Sequence, residues 1–285
     1  MADWLAWPGR VWRIVATAIA FVSFGVGGVL LWLVVFPLQA LLLPDPARRQ
    51  WAARTVVQAV FRLFVGWMRL LGLIDYEVRG VEKLQRRGLL ILANHPTLID
   101  VAFLIGLVPN ASCVVKSTLA DHPCTRGPVR ATGYICNNPD TDLLRGCIDA
   151  LAAGSNLIIF PEGTRSRPGQ ALKIQRGAAQ IALRGGLDIT PVRIHCEPLG
   201  LYKGQPWWAV AKRKLCFTIE VGDDLPSAPV LVAAGGEHGR AARRLTESLS
   251  QFFSQPMRAS TEKLKGSHAS AGTRNQGTAD LGTPT

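Results

Sequence analysis

The chain has 285 residues, with 32 Lys+Arg against 20 Asp+Glu for a formal net charge of +12, and it is 48% hydrophobic but only 18% charged. That apolar content excludes a wholly disordered chain, and the lack of a Gly-X-Y or heptad rhythm excludes a fibrous one. A pI near 10.0 calls for an anionic partner, nucleic acid or anionic lipid, and the location of the apolar residues discriminates between them.

From Ile14 to Phe36 there are 23 residues without a charge. As a helix this run is about 34 Å long, enough to span a hydrocarbon core. It is too long for a cleaved signal peptide, and no small-x-small site follows it. Trp4, Trp7, Trp12, Arg10 and Arg13 precede it, as interfacial anchors do. Pro37, Pro44 and Pro46 break the chain, and a second helix is expected from about Ala47 to Gly72. On it Arg54, Gln58, Arg62 and Arg69 share a stripe beside a broad apolar face, and five Arg with one Asp give this segment +4. Such a helix suits the headgroup plane of anionic lipid, with Arg54, Arg62 and Arg69 toward the membrane surface; a core helix with a solvated face is the other reading. Arg residues on both sides of the first run leave a single span and a hairpin equally compatible with the charge pattern. Residues 1–72 therefore read as membrane-anchoring helices.

Residues 73–253 read as an α/β domain with a mixed, largely parallel sheet flanked by helices. Strands are expected at Gly88–Ala93, Ala111–Val115, Asn156–Phe160, Ile189–His195 and Cys216–Val221. Helices are expected at Asp100–Leu107, Thr141–Ala153, Arg176–Gly185 and Glu237–Phe253. Residues 254–285 have almost no bulky apolar side chain and read as a disordered tail. The six cysteines form no C-x-x-C pair and no zinc-finger spacing with His, which points to free thiols in a reducing compartment.

Chemistry concentrates in two segments that each follow an apolar strand. In Asn94-His95-Pro96-Thr97-Leu98-Ile99-Asp100, His95 lies just ahead of a helix and Asp100 can reach back to its ring. A carboxylate on one imidazole nitrogen fixes the tautomer and makes the other nitrogen a general base for a hydroxyl. In Phe160-Pro161-Glu162-Gly163-Thr164-Arg165-Ser166, a turn presents a carboxylate and a guanidinium fork suited to phosphate. Lys173 and Arg176 follow at a helix start, adding positive charge near exposed backbone N–H groups.

Together these segments resemble the glycerolipid acyltransferase family typified by 1-acylglycerol-3-phosphate acyltransferase. Asn94, His95 and Asp100 match its Asn-His-x4-Asp block, and Phe160 to Ser166 match its Phe-Pro-Glu-Gly-Thr-Arg-Ser block in full. Lys173 to Ala178 match its basic-then-Gly-Ala stretch, and Thr190-Pro191-Val192 resembles its apolar-Pro pair. The resemblance covers roughly Leu84 to Ile194 and implies an O-acyltransferase. In it His95 and Asp100 are catalytic, and acyl-CoA or acyl-carrier protein donates the acyl group to a lysophospholipid. It further implies that Asn94, Lys116, Arg130, Glu162, Gly163, Thr164, Arg165, Lys173, Arg176 and Pro191 contact substrate. Neither metal nor organic cofactor is implied. The implied location is a bacterial-type inner membrane, with the catalytic domain on the cytoplasmic face against anionic lipids. One departure stands out: Gly133-Tyr134-Ile135-Cys136-Asn137-Asn138-Pro139 lacks the Arg of the family's second block. Either Arg126 or Arg130 replaces it, or the acceptor is a lyso-aminolipid, glycolipid or polyene lipid. A catalytically silent lipid-binding protein is the reading of another class. Nucleic-acid binding rests on charge alone and is set aside, since no nucleic-acid motif is present.

Overall fold

The computed structural model describes residues 7–137 and 142–255. Trp4, Asn138, Pro139, Thr141 and the tail beyond Gln255 lie outside the described residues. The chain opens with α1 (Trp7–Leu30), a π turn (Leu31–Val35), α2 (Phe36–Leu42) and α3 (Pro46–Leu70). It continues through β1 (Ile74–Arg79), a 3-10 turn (Val81–Leu84), β2 (Leu90–Ala93), α4 (Asp100–Leu107), β3 (Ala111–Lys116), α5 (Thr118–Asp121) and α6 (Arg126–Thr132). There follow β4 (Ile135–Asn137), α7 (Leu143–Ala152), β5 (Asn156–Ile159), α8 (Arg176–Gly185), β6 (Ile189–Glu197), β7 (Leu215–Val221), α9 (Ala228–Ala233) and α10 (His238–Ser254).

The strands form one sheet in the order β1-β7-β6-β2-β5-β3-β4. Every ladder is parallel except β6 with β7, so the expected mixed, largely parallel sheet is the one observed. All four residues of the central strand β2 are buried, as a strand covered on both faces requires. Ile91 and Ala93 join the cluster that includes α3 and α4, while Leu90 and Leu92 join the one that includes α7, α8 and α10. β1 and β4 lie outside the expected set. They are the two edge strands, and neither carries a continuous buried apolar run.

Three features of the N-terminal helices differ from expectation. First, the helix does not stop at Pro37. The N–H of Phe36 bonds to the carbonyl of Leu31, five residues back, in the turn immediately before the proline. A proline lacks an N–H and crowds the carbonyl four residues earlier, and the wider π turn accommodates both. An apolar helix of 34 residues, Gly9–Leu42, results, with mean hydropathy 2.5 over its most apolar window. Second, α3 is part of the core. Ala53, Val57, Val65 and Met68 are buried, while Trp51, Leu63, Trp67 and Leu70 are exposed. Residues of α1, the π turn and α3 share one buried cluster with the sheet, so the boundary expected after Gly72 falls inside a single packed unit.

Third, Arg54 does not face a membrane surface. It is 6% exposed, and its guanidinium donates to the carbonyl of Thr132 (2.9 Å), Oδ1 of Asn110 (3.0 Å) and Oγ of Ser155 (2.6 Å). Burial holds it below the usual arginine range. Arg62 is exposed, and Arg69 pairs with Asp75 at 3.1 Å.

The six cysteines are free, and burial pushes the thiols of Cys113 and Cys196 up to about 12 and that of Cys147 to about 11, leaving them poor nucleophiles at neutral pH. Glycines let the N-terminal helix approach the rest of the molecule: a Cβ on Gly28 would collide with the carbonyl of Cys124, and one on Gly127 with Trp32.

Arg54→Ala leaves three acceptors without their donor and is expected to cost about 2–4 kcal/mol of stability, read as a lower unfolding midpoint in detergent. Vesicle binding by the folded variant is expected to match the parent; a weakened membrane affinity with unchanged stability would restore the headgroup role.

Candidate active site

The site is built where β2 and β5 end. Past Ala93 the Asn94 side chain takes over the sheet's hydrogen bonding: its Nδ2 donates to the carbonyl of Ile194 (2.8 Å) and its Oδ1 accepts from the Ile194 N–H (2.7 Å). Both polar ends of the Asn94 amide are thus engaged by β6, and Asn94 positions its neighbour His95.

The contact expected between His95 and Asp100 is present, with His95 Nδ1 lying 2.8 Å from Asp100 Oδ2. Asp100 opens α4 and is fully buried, and Thr97 completes its shell through its N–H (2.7 Å to Oδ2) and its Oγ1, which donates to Oδ1. The N-terminal end of a helix favours negative charge. Burial nevertheless pushes the Asp100 carboxyl up, against the opposing pull of His95 and the Thr97 donors. The imidazole stacks on Phe160 with ring centroids 4.1 Å apart. Its Nε2 has no hydrogen-bond partner among the described residues.

Glu162 fastens the two loops together. Its Oε1 accepts from the His95 N–H (2.8 Å) and its Oε2 from Ser166 Oγ (2.8 Å). The Ser166 N–H in turn donates to the His95 carbonyl at 2.8 Å. Both carboxylate oxygens are therefore occupied within the protein. Gly163, at φ +68, supplies the left-handed turn this arrangement needs. Arg165 donates from Nη1 to the carbonyls of Leu201 (3.0 Å) and Tyr202 (3.3 Å). The Leu98 N–H bonds to the same Leu201 carbonyl (3.1 Å), so this loop touches both motif segments.

The other expected substrate contacts are less tightly gathered. Lys116 ends β3, opposite Asn137 in the ladder, and is exposed. Arg130 is exposed and lies 4.0 Å from Asp121, while Arg126 sits over the Trp32 ring at 3.5 Å. Lys173 and Arg176 are exposed ahead of and at the start of α8, and Thr164 is partly exposed in its turn. Pro191 pairs with Leu92, whose side chain joins the cluster opposite that of Ile91 and Ala93, and it packs near Gly222 and Phe252. Among the described residues no group of three or more His, Cys, Asp and Glu is placed to hold a metal ion.

Beside the motif lies a cavity of about 530 Å³, lined almost wholly by apolar side chains. Its walls include Leu98 and Ile99, the two residues between Thr97 and Asp100, with Ala102 and Ile105 of α4, Phe61 and Phe64 of α3, and Phe24 of α1. That volume is in the range of small-molecule sites. Thr97, Ser166 and this cavity are absent from the expected set. Thr-x-x-Asp has the spacing of a helix-capping pair, the one sequence signal that points to Thr97.

A family profile described as Acyltransferase matches residues 75–195. The 1-acyl-sn-glycerol-3-phosphate acyltransferase of Pseudomonas aeruginosa is 30% identical over 210 residues, which cover 72% of this chain and 77% of that protein. The chain belongs to the glycerolipid acyltransferase family. A second relative of this acyltransferase, the Helicobacter pylori protein with the same name, is 31% identical over 130 residues, 41% of this chain and 55% of its own. The solved 1-acyl-sn-glycerophosphate acyltransferase PlsC of Thermotoga maritima shares the fold of the acyltransferase, with a TM-score of 0.62 at 18% identity, covering 89% of this chain and 100% of that one.

Burial raises the Glu162 carboxyl above its ordinary range, against the donors from His95 and Ser166. The folded protein therefore holds this proton more tightly than the unfolded chain does. Its stabilising contribution is full below the ordinary carboxyl value and is lost as pH rises through the raised one. Glu162→Gln retains an acceptor for His95 and a partner for Ser166 but cannot ionise. Its melting temperature relative to the parent is expected to climb as pH increases from about 4 to about 8; a flat or falling difference would contradict the raised carboxyl.

Proposed function

We propose that the acyltransferase is membrane-bound and moves a fatty acyl group from acyl-CoA or acyl-carrier protein to the hydroxyl of a lysophospholipid, with 1-acylglycerol 3-phosphate as the leading acceptor. The observation that carries the mechanism is the His95–Asp100 pair at 2.8 Å beside an apolar cavity. Asp100 holds the Nδ1 proton, and Nε2 takes the proton of the acceptor hydroxyl. The acceptor oxygen attacks the thioester carbonyl, the C–S bond breaks, and the departing thiolate takes the proton from the imidazolium. The cavity receives the apolar chain, where each buried methylene contributes about 0.8 kcal/mol.

Arg165, with Nε and Nη2 making no hydrogen bond among the described residues, is the motif cation assigned to an acceptor phosphate. Lys116, Lys173 and Arg176 add positive potential. The Gly9–Leu42 helix is about 51 Å long and apolar enough to enter the bilayer. The reading extends to a bacterial-type inner membrane with catalysis on the cytoplasmic face, a reducing side on which six free cysteines persist. The second block lacks its Arg, so the alternative to lysophosphatidate, if neither Arg126 nor Arg130 replaces that charge, is a lyso-aminolipid, a glycolipid or a polyene lipid.

His95→Ala is expected to lower acyl transfer in detergent by about 10²–10⁴-fold while the protein stays folded; full activity in that variant would refute the base. Ala102→Phe, which narrows the cavity, is expected to shift preference toward shorter acyl chains in a competition assay. An unchanged chain profile in the folded variant would remove the cavity from acyl binding.

A further inference from the structure

The segment 198–214, which joins β6 to β7, matches none of the motifs, yet it carries Lys203, Lys212, Arg213 and Lys214 with no acidic residue. Lys214 pairs with Asp75 at 2.8 Å, whereas Lys203, Lys212 and Arg213 have no acidic partner among the described residues. At its centre Trp207 and Trp208 are 43% and 58% exposed, packed edge to face at 5.7 Å. Two exposed indoles flanked by unpaired cations form an unusual surface for a water-facing loop.

The loop is also fixed against the N-terminal helix. Trp207 meets Phe21 of α1 at 6.4 Å, and Arg13 donates from Nε to the Ala211 carbonyl at 3.1 Å. Its apolar surface thereby meets that of α1 at Phe21, which is 38% exposed. At its other end the Leu201 carbonyl accepts from both Leu98 and Arg165.

We propose that this loop is a second membrane-contact surface, which seats Trp207 and Trp208 at the headgroup level of an anionic bilayer while Lys203, Lys212 and Arg213 meet lipid phosphates. Indole rings favour that level, and each cation near an anionic leaflet contributes to attraction within a Debye length. The loop is tied to the motif segments, so contact with the bilayer orients the site toward lipid-borne substrate. This rests on the membrane-bound reading above.

The test uses the full chain and its Trp207→Phe/Trp208→Phe variant, whose difference in emission isolates the loop indoles. Vesicles of phosphatidylcholine brominated on its acyl chains, with or without phosphatidylglycerol, serve as the probe. The difference emission is expected to shift to shorter wavelength and to be quenched on phosphatidylglycerol-containing vesicles. Lys203→Glu/Lys212→Glu is expected to raise the lipid concentration for half-quenching at least about tenfold. Quenching without dependence on phosphatidylglycerol would overturn the cationic role. A parent chain that sediments with vesicles while its difference emission stays unchanged would overturn the proposal and leave the membrane-bound reading standing. A parent chain that fails to sediment would overturn both. A difference emission that responds to an acidic acyl-carrier protein and not to vesicles would overturn the proposal and assign the loop to the donor. Emission reads contact without acyl transfer, so an inactive preparation does not confuse the two.

Discussion

The arrangement of the site depends on one carboxylate that bonds to backbone. Glu162 joins the loop after β5 to the loop after β2 by accepting from the His95 N–H and from Ser166. Without that bridge the two segments would be independent strand ends, and the imidazole would lose both its placement and its stacking partner Phe160. Asn94 does the equivalent on the other side by locking onto Ile194 of β6. His95 is therefore held from β5 and β6 at once, the two strands that flank β2 in the sheet. In the proposed mechanism, a base that must meet a hydroxyl within hydrogen-bond reach gains from such rigidity, because misplacement by a fraction of its contact distance costs rate.

Much of this is legible in the amino acids, and the residues show why. Five strands are readable because buried strands in a parallel sheet are near-continuous apolar runs. The edge strands escape because β1, IDYEVR, alternates charge with apolar residues and β4 is three residues long. Asp100 can be paired with His95 once the second motif segment is set beside the first, because His95 lies just ahead of the helix from which Asp100 reaches back. The roles of Asn94 and Glu162 cannot, since their partners include backbone groups of distant residues, and backbone carries no sequence signal. Arg54 misleads for a related reason. On a helical stripe it looks like a solvated cation, and its acceptors at Asn110, Thr132 and Ser155 are brought together only by the fold.

The positive charge of the chain therefore serves more than one purpose. Arg54 is an internal brace, Arg193 pairs with Glu220 at 3.1 Å, and Arg86 pairs with Asp224 at 2.6 Å. Part of the Arg165 guanidinium holds the loop that carries Leu201, and the proposed function gives the remainder to an acceptor phosphate. Net charge alone cannot separate these uses, because an excess of cations reports on the surroundings of a protein only after the internally matched ones are removed.

The π turn before Pro37 has a geometric consequence. A helix advances about 100° per residue, so a turn that holds one residue more than α geometry rotates everything beyond it by roughly that angle. The side chains of α2 therefore point along a different azimuth from the stripe that α1 would have continued. One uninterrupted rod can then show one apolar sector to the protein before the turn and another after it. Trp32, inside the turn, lies under the Arg126 guanidinium at 3.5 Å, at the place where the two sectors change over.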